Sequence, residues 1–363
     1  MPRRHDELFD RIASFQALNE AAQRAVAGKR RKPGAAAFLA NLERELLRLE
    51  RELRGSHYRT GRYLELVVRD PKRRVVSAAP FRDRVVHHAL VGVVGPLFER
   101  GFIDRSYANR VGKGTHRAIA CFEKLRAGHS HVLRADIWRY FPSIDHAVLK
   151  ADLRRRIACE RTLALCDTII DGSNAQEPVD CYYPGDDLFS ADERRRGLPL
   201  GNLSSQFFAN VYLDGLDHWV SEVLRAPCLR YVDDFALFAH SELQARQWRE
   251  QIDHYLVARR LRLHPAKTQV LSTQMPQPFL GFELLAGGRR RLLPPNVTRF
   301  RQRLDGLRAQ WRRGQIDQAQ VQSQVQGWVA HAAHANTVSL RHTLFKGGWF
   351  GPLWSNGQPT KAC

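Results

Sequence analysis

The sequence has little of what marks a membrane protein, a disulfide scaffold or a zinc protein. It contains no apolar run long enough to cross a bilayer, and its opening residues, MPRRHDELFDRIASF, lack the apolar core of a secretory signal. Only 6 of the 363 residues are cysteine, and no two of them have the C-x-x-C spacing of a zinc site. We therefore expect a cytoplasmic protein with free thiols and no membrane partner.

Acidic residues are scarce relative to basic ones. The chain has 57 Lys and Arg against 37 Asp and Glu, which gives a formal net charge of +20 at pH 7. An excess of this size favours a polyanionic partner, most often nucleic acid. An anionic membrane surface is the other candidate, and the absence of a spanning segment argues against it.

The spacing of apolar residues predicts an α+β fold. Residues 7–54 repeat apolar side chains every three or four positions, which indicates helices that end near Gly55. Residues 58–79 contain two β-rich runs separated by RDPKR, the pattern of a hairpin. Strands are also predicted in HVLRADIWRYF (131–141) and CLRYVDDFALFA (228–239). Further helices are predicted at 147–158, 204–224, 245–261 and, in a strongly basic segment, from about residue 296.

Two adjacent aspartates, Asp233 and Asp234, stand inside the apolar run LRYVDDFALFA. An ionised carboxylate among apolar side chains is costly unless it is paired, and a polar turn between strands is the simplest explanation. A third carboxylate, Asp136, ends the strand HVLRAD, and pairing of the two strands would bring it beside Asp233. Such a cluster repels itself unless cations neutralise it. Carboxylate oxygens suit Mg²⁺, and two such ions about 4 Å apart serve phosphoryl transfer.

Seven blocks of the chain resemble the motifs of bacterial reverse transcriptases, in the family's order and spacing. RADIWRYF and YVDD resemble the two motifs with metal-binding aspartates, and GLPLGNLSSQFFANVYL lies between them. LRLHPAKTQ and FLGF come later in the chain, while KRRVVSAAPFRDRVVHHAL and RSYANRVGKGTHRA resemble the finger segments. The resemblance runs from about residue 60 to 340.

The resemblance implies a right-hand polymerase fold that copies RNA into DNA with dNTPs, a primer and two Mg²⁺. The expected parts are an N-terminal helical segment (1–57), fingers (58–130), a palm with part of the fingers (131–285), a helical thumb (286–345) and a C-terminal tail (346–363). A catalytically silent RNA-binding protein on the same fold is an alternative, and the three aspartates argue against it.

The resemblance also implies site residues. The expected catalytic and metal-binding groups are Asp136, Asp233, Asp234 and, for the metal alone, the backbone carbonyl of Ile137. The residues expected at the incoming dNTP are Lys72, Arg74, Phe141, Leu200, Gly201 and Lys267. The residues expected to contact nucleic acid are Arg82, Arg110, Arg299, Arg303 and Arg312.

Each of these roles has a plainer alternative. Phe141 would exclude a ribose 2′-hydroxyl, or it is an ordinary core residue beside Tyr140. Lys72 and Arg74 would grip the triphosphate, or they belong to a solvated turn. Gly201 would let the backbone approach the nascent base pair because it has no Cβ.

Lys267 is at the position of a lysine that protonates the pyrophosphate leaving group, although surface lysines are common. The basic helix that contains Arg299, Arg303 and Arg312 would grip the template–primer backbone, or its charges are merely solvated.

The form of one motif narrows the subgroup. Intron-encoded relatives have Gln-Gly-x-x-x-Ser-Pro, whereas this chain has Leu200 in place of the Gln and Gln206 in place of the Pro. That form resembles the enzymes of diversity-generating retroelements, which implies error-prone copying of a template RNA with a small basic accessory protein. Free-standing enzymes, some linked to phage defence, and group II intron-type enzymes remain alternatives.

Overall fold

A computed structural model describes residues 4–68, 73–172, 178–179, 181–187 and 189–346, and the backbone of 354–355 and 358–359. The chain begins with four helices, as the spacing of apolar residues predicted: α1 (Phe9–Ala13), α2 (Phe15–Val26), α3 (Pro33–Ala40) and α4 (Leu42–Arg54). Helix α4 is capped by Gly55, the predicted stop. Apolar residues of the four helices and of α5 (Phe81–Glu99) belong to one core, in which α1, α2 and α3 pack on α5 and α4 packs on α1, α2 and α3.

The predicted hairpin is confirmed. Strands β1 (Leu64–Val68) and β2 (Arg74–Ala78) pair antiparallel and are largely exposed. Helix α6 (Thr115–Ala127) then leads into the central sheet. That sheet is antiparallel, in the order β4 (Cys228–Tyr231), β5 (Asp234–Ala239), β3 (His131–Asp136), β6 (Gln269–Ser272).

The two faces of the central sheet join different apolar cores. Leu133, Phe235 and Leu237 belong to the larger core, which includes α11 (Leu203–His218) and α12 (Glu242–Ala258). Alternate residues of the same strands, such as Val132 and Phe238, belong to a second core with α6. The second core also includes a three-stranded sheet, β7 (Gln277–Phe279), β8 (Phe282–Leu284) and β9 (Arg290–Leu292). Strand alternation thus buries both faces and leaves the strand ends to form the site.

Short helices and a π-helix connect these parts. They are α7 (Tyr140–Ser143), α8 (His146–Arg154), α9 (Glu160–Asp171), α10 (Ser190–Glu193), the π-helix Trp219–Val223 after α11, and a 3₁₀ turn at Ala286–Gly288. The predicted helix 147–158 is therefore shorter than expected. The last residues of the predicted helix lie outside α8, because the Ala158 N–H donates to the carbonyl of His5 at 2.7 Å and not to a carbonyl of the helix.

The chain continues in three helices with a small core of their own. They are α13 (Pro294–Arg312), α14 (Gln318–Ala332) and α15 (Val338–Phe345). Strand β9 pairs with β8 across the expected boundary at 285, so the helical part begins only at Pro294. Beyond it, β10 (Trp354–Ser355) and β11 (Gln358–Pro359) form a two-stranded pair.

None of the helices in the described part of the chain has the length and apolar character needed to cross a bilayer. The five cysteines within the described residues are free thiols, as the spacing of cysteine in the sequence predicted.

Candidate active site

The central sheet brings the three aspartates to one edge. Strands β3 and β5 pair in a register that sets Asp136 directly opposite Asp234. The pairing of Tyr231 with Asp234 closes the β4–β5 hairpin, so Val232 and Asp233 form its two-residue turn. The register follows from the apolar alternation of both strands, since a one-residue slip would turn the apolar sets away from their cores. The register therefore places all three carboxylates at neighbouring strand ends.

Burial and mutual repulsion act on this cluster. Burial, reinforced by the nearby charge of Asp136, raises the pKa of Asp233 to about 6. Burial also raises the pKa of Asp234, and this rise is opposed by the adjacent Arg134 guanidinium. Both shifts have the direction expected when a carboxylate loses water and gains a like-charged neighbour.

Two basic side chains partly neutralise the cluster. Lys267 Nζ donates to Oδ1 and Oδ2 of Asp136 at 2.8 and 2.9 Å. Arg134 Nη2 contacts both carboxylate oxygens of Asp234 at 3.0 and 3.1 Å, and its Nη1 donates to the Pro278 carbonyl at 2.6 Å. Lys267 was expected near the dNTP, whereas Arg134 was missed. Arg134 lies two residues before Asp136, so strand alternation places both side chains on the same face of the sheet. This two-residue spacing is the feature of the sequence that could have identified Arg134.

The residues present have the chemistry of a divalent-cation site. Within the described residues, no group of three or more His, Cys, Asp and Glu side chains is arranged to hold a metal ion. Asp136 and Asp234 are each paired with a basic side chain instead. The donor set still fits Mg²⁺, because it consists of carboxylate oxygens, and burial together with the charge of Asp136 raises the pKa of Asp233. Ile137, the expected backbone ligand, is buried immediately after Asp136 and bridges to Leu263.

A tight turn, Leu200–Gly201, lies beneath the β1–β2 hairpin. The backbone N–H of Ser77 donates to the Leu200 carbonyl at 3.1 Å. Gly201 has φ +101°, and a Cβ at this position would lie 2.6 Å from Cγ1 of Val76. Glycine is therefore required both by the backbone conformation and by the approach of β2.

Asn202 fastens the hairpin to this turn. Its Nδ2 donates to the Ser77 carbonyl at 2.7 Å, and its Oδ1 accepts from the Ala79 N–H at 3.1 Å. Asn202 is 4 % exposed, and its side-chain amide joins the turn to residues 77–79 by hydrogen bonds to the backbone, as a neighbouring strand would. Arg74, expected at the triphosphate, is the exposed first residue of β2. Lys72 lies outside the described residues.

Phe141 and its neighbour Tyr140 have different environments. Tyr140 is buried, and its hydroxyl donates to the Ala209 carbonyl. Phe141 is only partly buried against the same core, and its carbonyl accepts from the Leu198 N–H at 2.9 Å. It follows the end of β3 at Asp136 by five residues.

The arginines expected to contact nucleic acid fall into two groups. Arg82 pairs with Glu52 of α4, and Arg110 donates to Glu99 at 2.7 Å and to the Ile103 carbonyl at 2.6 Å. The structure therefore gives both arginines partners within the protein. On α13, Arg299 is half-buried beside Asn296, whereas Arg303 and Arg312 are exposed, and Arg303 donates to Gln324 at 2.8 Å.

Comparison with protein families identifies the middle of the chain. Residues 69–284 match the sequence model of the family described as reverse transcriptase (RNA-dependent DNA polymerase). Protein YkfC of Escherichia coli K12 is 27% identical over 190 residues, which cover 50% of this chain and 47% of that protein. Nuclear intron maturase 1, mitochondrial, of Arabidopsis thaliana is 25% identical over 158 residues, covering 38% of this chain and 22% of that protein. The chain thus spans less than half the length of these curated relatives.

Two telomerases are among the solved structures to which this chain is similar. Apo telomerase from Candida tropicalis, truncated from its C-terminal domain, has 12% identity and a TM-score of 0.47 over 64% of this chain and 55% of that one. Telomerase from Candida albicans, in complex with a fragment of telomeric RNA, has 13% identity and a TM-score of 0.45 over 65% and 46% of the two chains.

Proposed function

Because this chain belongs to the reverse transcriptase (RNA-dependent DNA polymerase) family, we propose that it extends a primer with dNTPs on an RNA template. The fold is the right-hand polymerase fold. In the proposed division, the central sheet would be the palm, the β1–β2 hairpin would belong to the fingers and helices α13–α15 would form the thumb. The observation that carries the proposal is the meeting of Asp136, Asp233 and Asp234 at one edge of the palm sheet.

The residues of this edge have separate tasks in the proposed reaction. Asp136, Asp233, Asp234 and the Ile137 carbonyl would hold two Mg²⁺, which supply charge stabilisation for the attacking and leaving oxygens. Arg134 orients Asp234 through its contacts with both carboxylate oxygens. Lys267, whose ammonium lies beside Asp136, would give a proton to the departing pyrophosphate.

Residues around the Leu200–Gly201 turn would bind the incoming nucleotide. The turn and the fingers hairpin would form the wall of the dNTP site, and Phe141 would close the side where a ribose 2′-hydroxyl would sit. Lys72 and Arg74 would hold the triphosphate by charge, and Arg299, Arg303 and Arg312 would contact the backbone of the template–primer.

The test is primer extension by Asp233→Asn, which keeps the size of the side chain and removes its negative charge. Extension should fall by a factor on the order of a thousand or more, because charge stabilisation of the transition state is lost, while binding of template–primer persists. Asp253→Asn, on the exposed face of α12, is the matched control and should extend normally. Extension by Asp233→Asn at the wild-type rate would overturn the assigned site. Wild-type protein that binds RNA but extends no primer would favour the silent RNA-binding alternative.

The finer assignment concerns fidelity. We propose that the enzyme copies with frequent errors, as in a diversity-generating retroelement, assisted by a small basic accessory protein. The support is Leu200, which has no hydrogen-bond donor or acceptor where intron-encoded relatives have a glutamine. The similarity to an intron maturase keeps a group II intron-type enzyme as the alternative. A free-standing or phage-defence enzyme is the other alternative.

Sequencing cDNA from wild type and from Leu200→Gln on one template separates these possibilities. A new hydrogen bond beside the nascent pair should lower misincorporation by about tenfold or more, with the largest drop opposite template adenine. Leu200→Met, which is apolar and similar in size, should keep the wild-type error spectrum. An accurate wild type, or equal spectra in all three proteins, would count against the retroelement assignment.

A further inference from the structure

The turn that carries Asp233 has an unfavourable backbone. Val232 has φ +61°, in the left-handed region. A β-branched residue is a rare occupant of that region, and such a conformation persists only when the surrounding structure enforces it. Within this two-residue turn, Val232 directly precedes Asp233, so its conformation sets the direction of the Asp233 carboxylate.

A buried arginine contacts this turn. Arg230 is 2 % exposed and lies on β4, on the sheet face opposite its neighbours Leu229 and Tyr231. Strand alternation predicts an apolar residue there, because Cys228, two positions earlier, belongs to the large core. A charged residue at an apolar position of this kind points to a specific task.

The guanidinium of Arg230 is bonded on two sides. Its Nε and Nη2 donate to the Asp217 carboxylate at 2.7 and 2.6 Å, and Asp217 is itself 4 % exposed. Its Nη1 donates to Oδ1 of Asn210 at 3.1 Å and to the Val232 carbonyl at 2.8 Å. Asp217 and Asn210 both lie on helix α11, so the guanidinium is fixed against the helix and presents one N–H to the turn.

The backbone of Arg230 is fixed as well. Its N–H donates to the Arg105 carbonyl at 3.0 Å, and its carbonyl accepts from the Tyr107 N–H at 3.0 Å. These contacts hold Arg230 in place independently of the turn. The position of Arg230 can therefore determine the conformation of the turn, and not the reverse.

We propose that Arg230 is a positioning residue that holds Val232 in its left-handed conformation through the Val232 carbonyl, and so fixes Asp233 for catalysis. This inference rests on the proposed polymerase function for its kinetic consequences. The rival explanation is that Arg230 and Asp217 are only a buried ion pair, whose loss destabilises the protein wherever it stands.

The two explanations differ in what glycine at position 232 would do. Glycine adopts φ +61° without steric cost, so it should make the turn independent of Arg230. The test uses the paired replacement Arg230→Met with Asp217→Leu, which leaves no unpaired charge in the core. We expect its single-turnover extension rate to fall by about ten- to a hundredfold, the usual effect of losing a hydrogen bond from a charged donor. Affinity for template–primer should stay within about twofold. Adding Val232→Gly should restore most of the rate.

A second buried pair provides the control. Arg259 donates to Asp152 Oδ1 at 3.2 Å and to the Tyr212 carbonyl at 2.8 Å, far along the chain from the turn. The paired replacement Arg259→Met with Asp152→Leu should not be rescued by Val232→Gly. Failure of Val232→Gly to rescue the Arg230 variant, or a normal rate in that variant before rescue, would overturn the proposal.

A readout without catalysis separates this inference from the polymerase proposal. The effect of Val232→Gly on the free energy of unfolding should differ between the Arg230 variant and wild type, since only Arg230 enforces the strained turn. It should be the same in the Arg259 variant as in wild type. If the paired Arg230 variant does not fold, Arg230→Lys takes its place in the same cycle. If Val232→Gly changes the free energy of unfolding equally in the wild type and in both variants, Arg230 does not hold the turn. This conclusion would stand even if the wild type is inactive as a polymerase.

Discussion

At the scale of single residues, buried charged side chains of this protein are paired with side chains of opposite charge. Arg134 with Asp234 and Arg230 with Asp217 lie on opposite faces of the central sheet. Arg134 contacts Asp234 next to the Val232–Asp233 turn, and Arg230 contacts the Val232 carbonyl. Asp233 is different, because burial and the charge of Asp136 raise its pKa to about 6. The site thus keeps a carboxylate whose ionisation costs stability, as expected where function needs a cation.

A second carboxylate with a raised pKa, that of Asp214, allows a test away from the Val232–Asp233 turn. Asp214 on α11 is held loosely by its basic neighbours, at 3.5 Å from Arg156 Nη2 and 3.5 Å from His218 Nε2. Burial raises its pKa to about 6, from 3.8. Between these two values the folded protein binds more protons than the unfolded chain, so ionisation of Asp214 lowers stability as the pH rises through this window.

Asp214→Asn should therefore stabilise the protein relative to wild type at about pH 8, and the gain should shrink as the pH falls toward about 4. Urea unfolding of both proteins at several pH values measures it, and the difference between them removes titrations that they share. Asp253→Asn on the exposed face of α12 should show no such trend. A gain independent of pH would contradict the raised pKa.

The sequence predicted some of these residues and not others, for a physical reason. The aspartates could be predicted from the sequence, because two adjacent ionisable residues inside an apolar run are unusual and are visible within one short segment. Asn202 and Arg134 were not, because their partners are distant: Asn202 bonds to Ser77 and Ala79, and Arg134 to Asp234 and Pro278. Their roles arise only when β2 meets the Gly201 turn and β3 meets β5. Arg82 and Arg110, chosen by resemblance, have partners within the protein in the structure.

At the scale of elements, most strands and helices followed from apolar spacing, and the deviations have local causes. Helix α12 begins at Glu242, three residues before the predicted start, because the Ser241 hydroxyl accepts from the Gln244 N–H and caps it. The end of α11 continues into a π-helix, Trp219–Val223, which apolar spacing does not reveal. The element that matters most for function is the β1–β2 hairpin, which is exposed except where it meets the Gly201 turn.

Asn202 should control the position of this hairpin and hence the binding of dNTP. Asn202→Ala removes the two side-chain hydrogen bonds to residues 77 and 79 and leaves the backbone bond from Ser77 to Leu200, so we expect KM for dNTP to rise by about tenfold while template–primer affinity stays unchanged. Asn202→Asp is the matched variant. It keeps an acceptor for the Ala79 N–H but sets an oxygen against the Ser77 carbonyl, and its KM should rise at least as much. If KM is unchanged in both variants, the hairpin does not depend on this contact.

At the scale of the whole molecule, the net charge of +20 has to be explained by its distribution. Four exposed arginines lie along helix α13, Arg301, Arg303, Arg308 and Arg312, and Arg299 on the same helix is half-buried. Its apolar side, with Phe300 and Leu304, is buried against α14, and Phe300 stacks on Trp328 at 3.8 Å between ring centroids. The helix is therefore held by its apolar side, while guanidinium groups on both flanks of that side reach solvent. This arrangement suits contacts with a phosphate backbone, which depend on charge and not on base sequence.

The affinity for template–primer should accordingly fall steeply with salt, because each neutralised phosphate releases condensed counterions. Arg303→Gln and Arg312→Gln should each make the slope of log affinity against log salt shallower by about one unit, without changing which sequences bind. Arg246→Gln is the matched control, since Arg246 is exposed on α12 and already paired with Glu242. A slope that stays the same in the α13 variants would mean that this helix is only a solvated surface. Equal loss in the Arg246 variant would mean that net charge, and not its place on the thumb, determines binding.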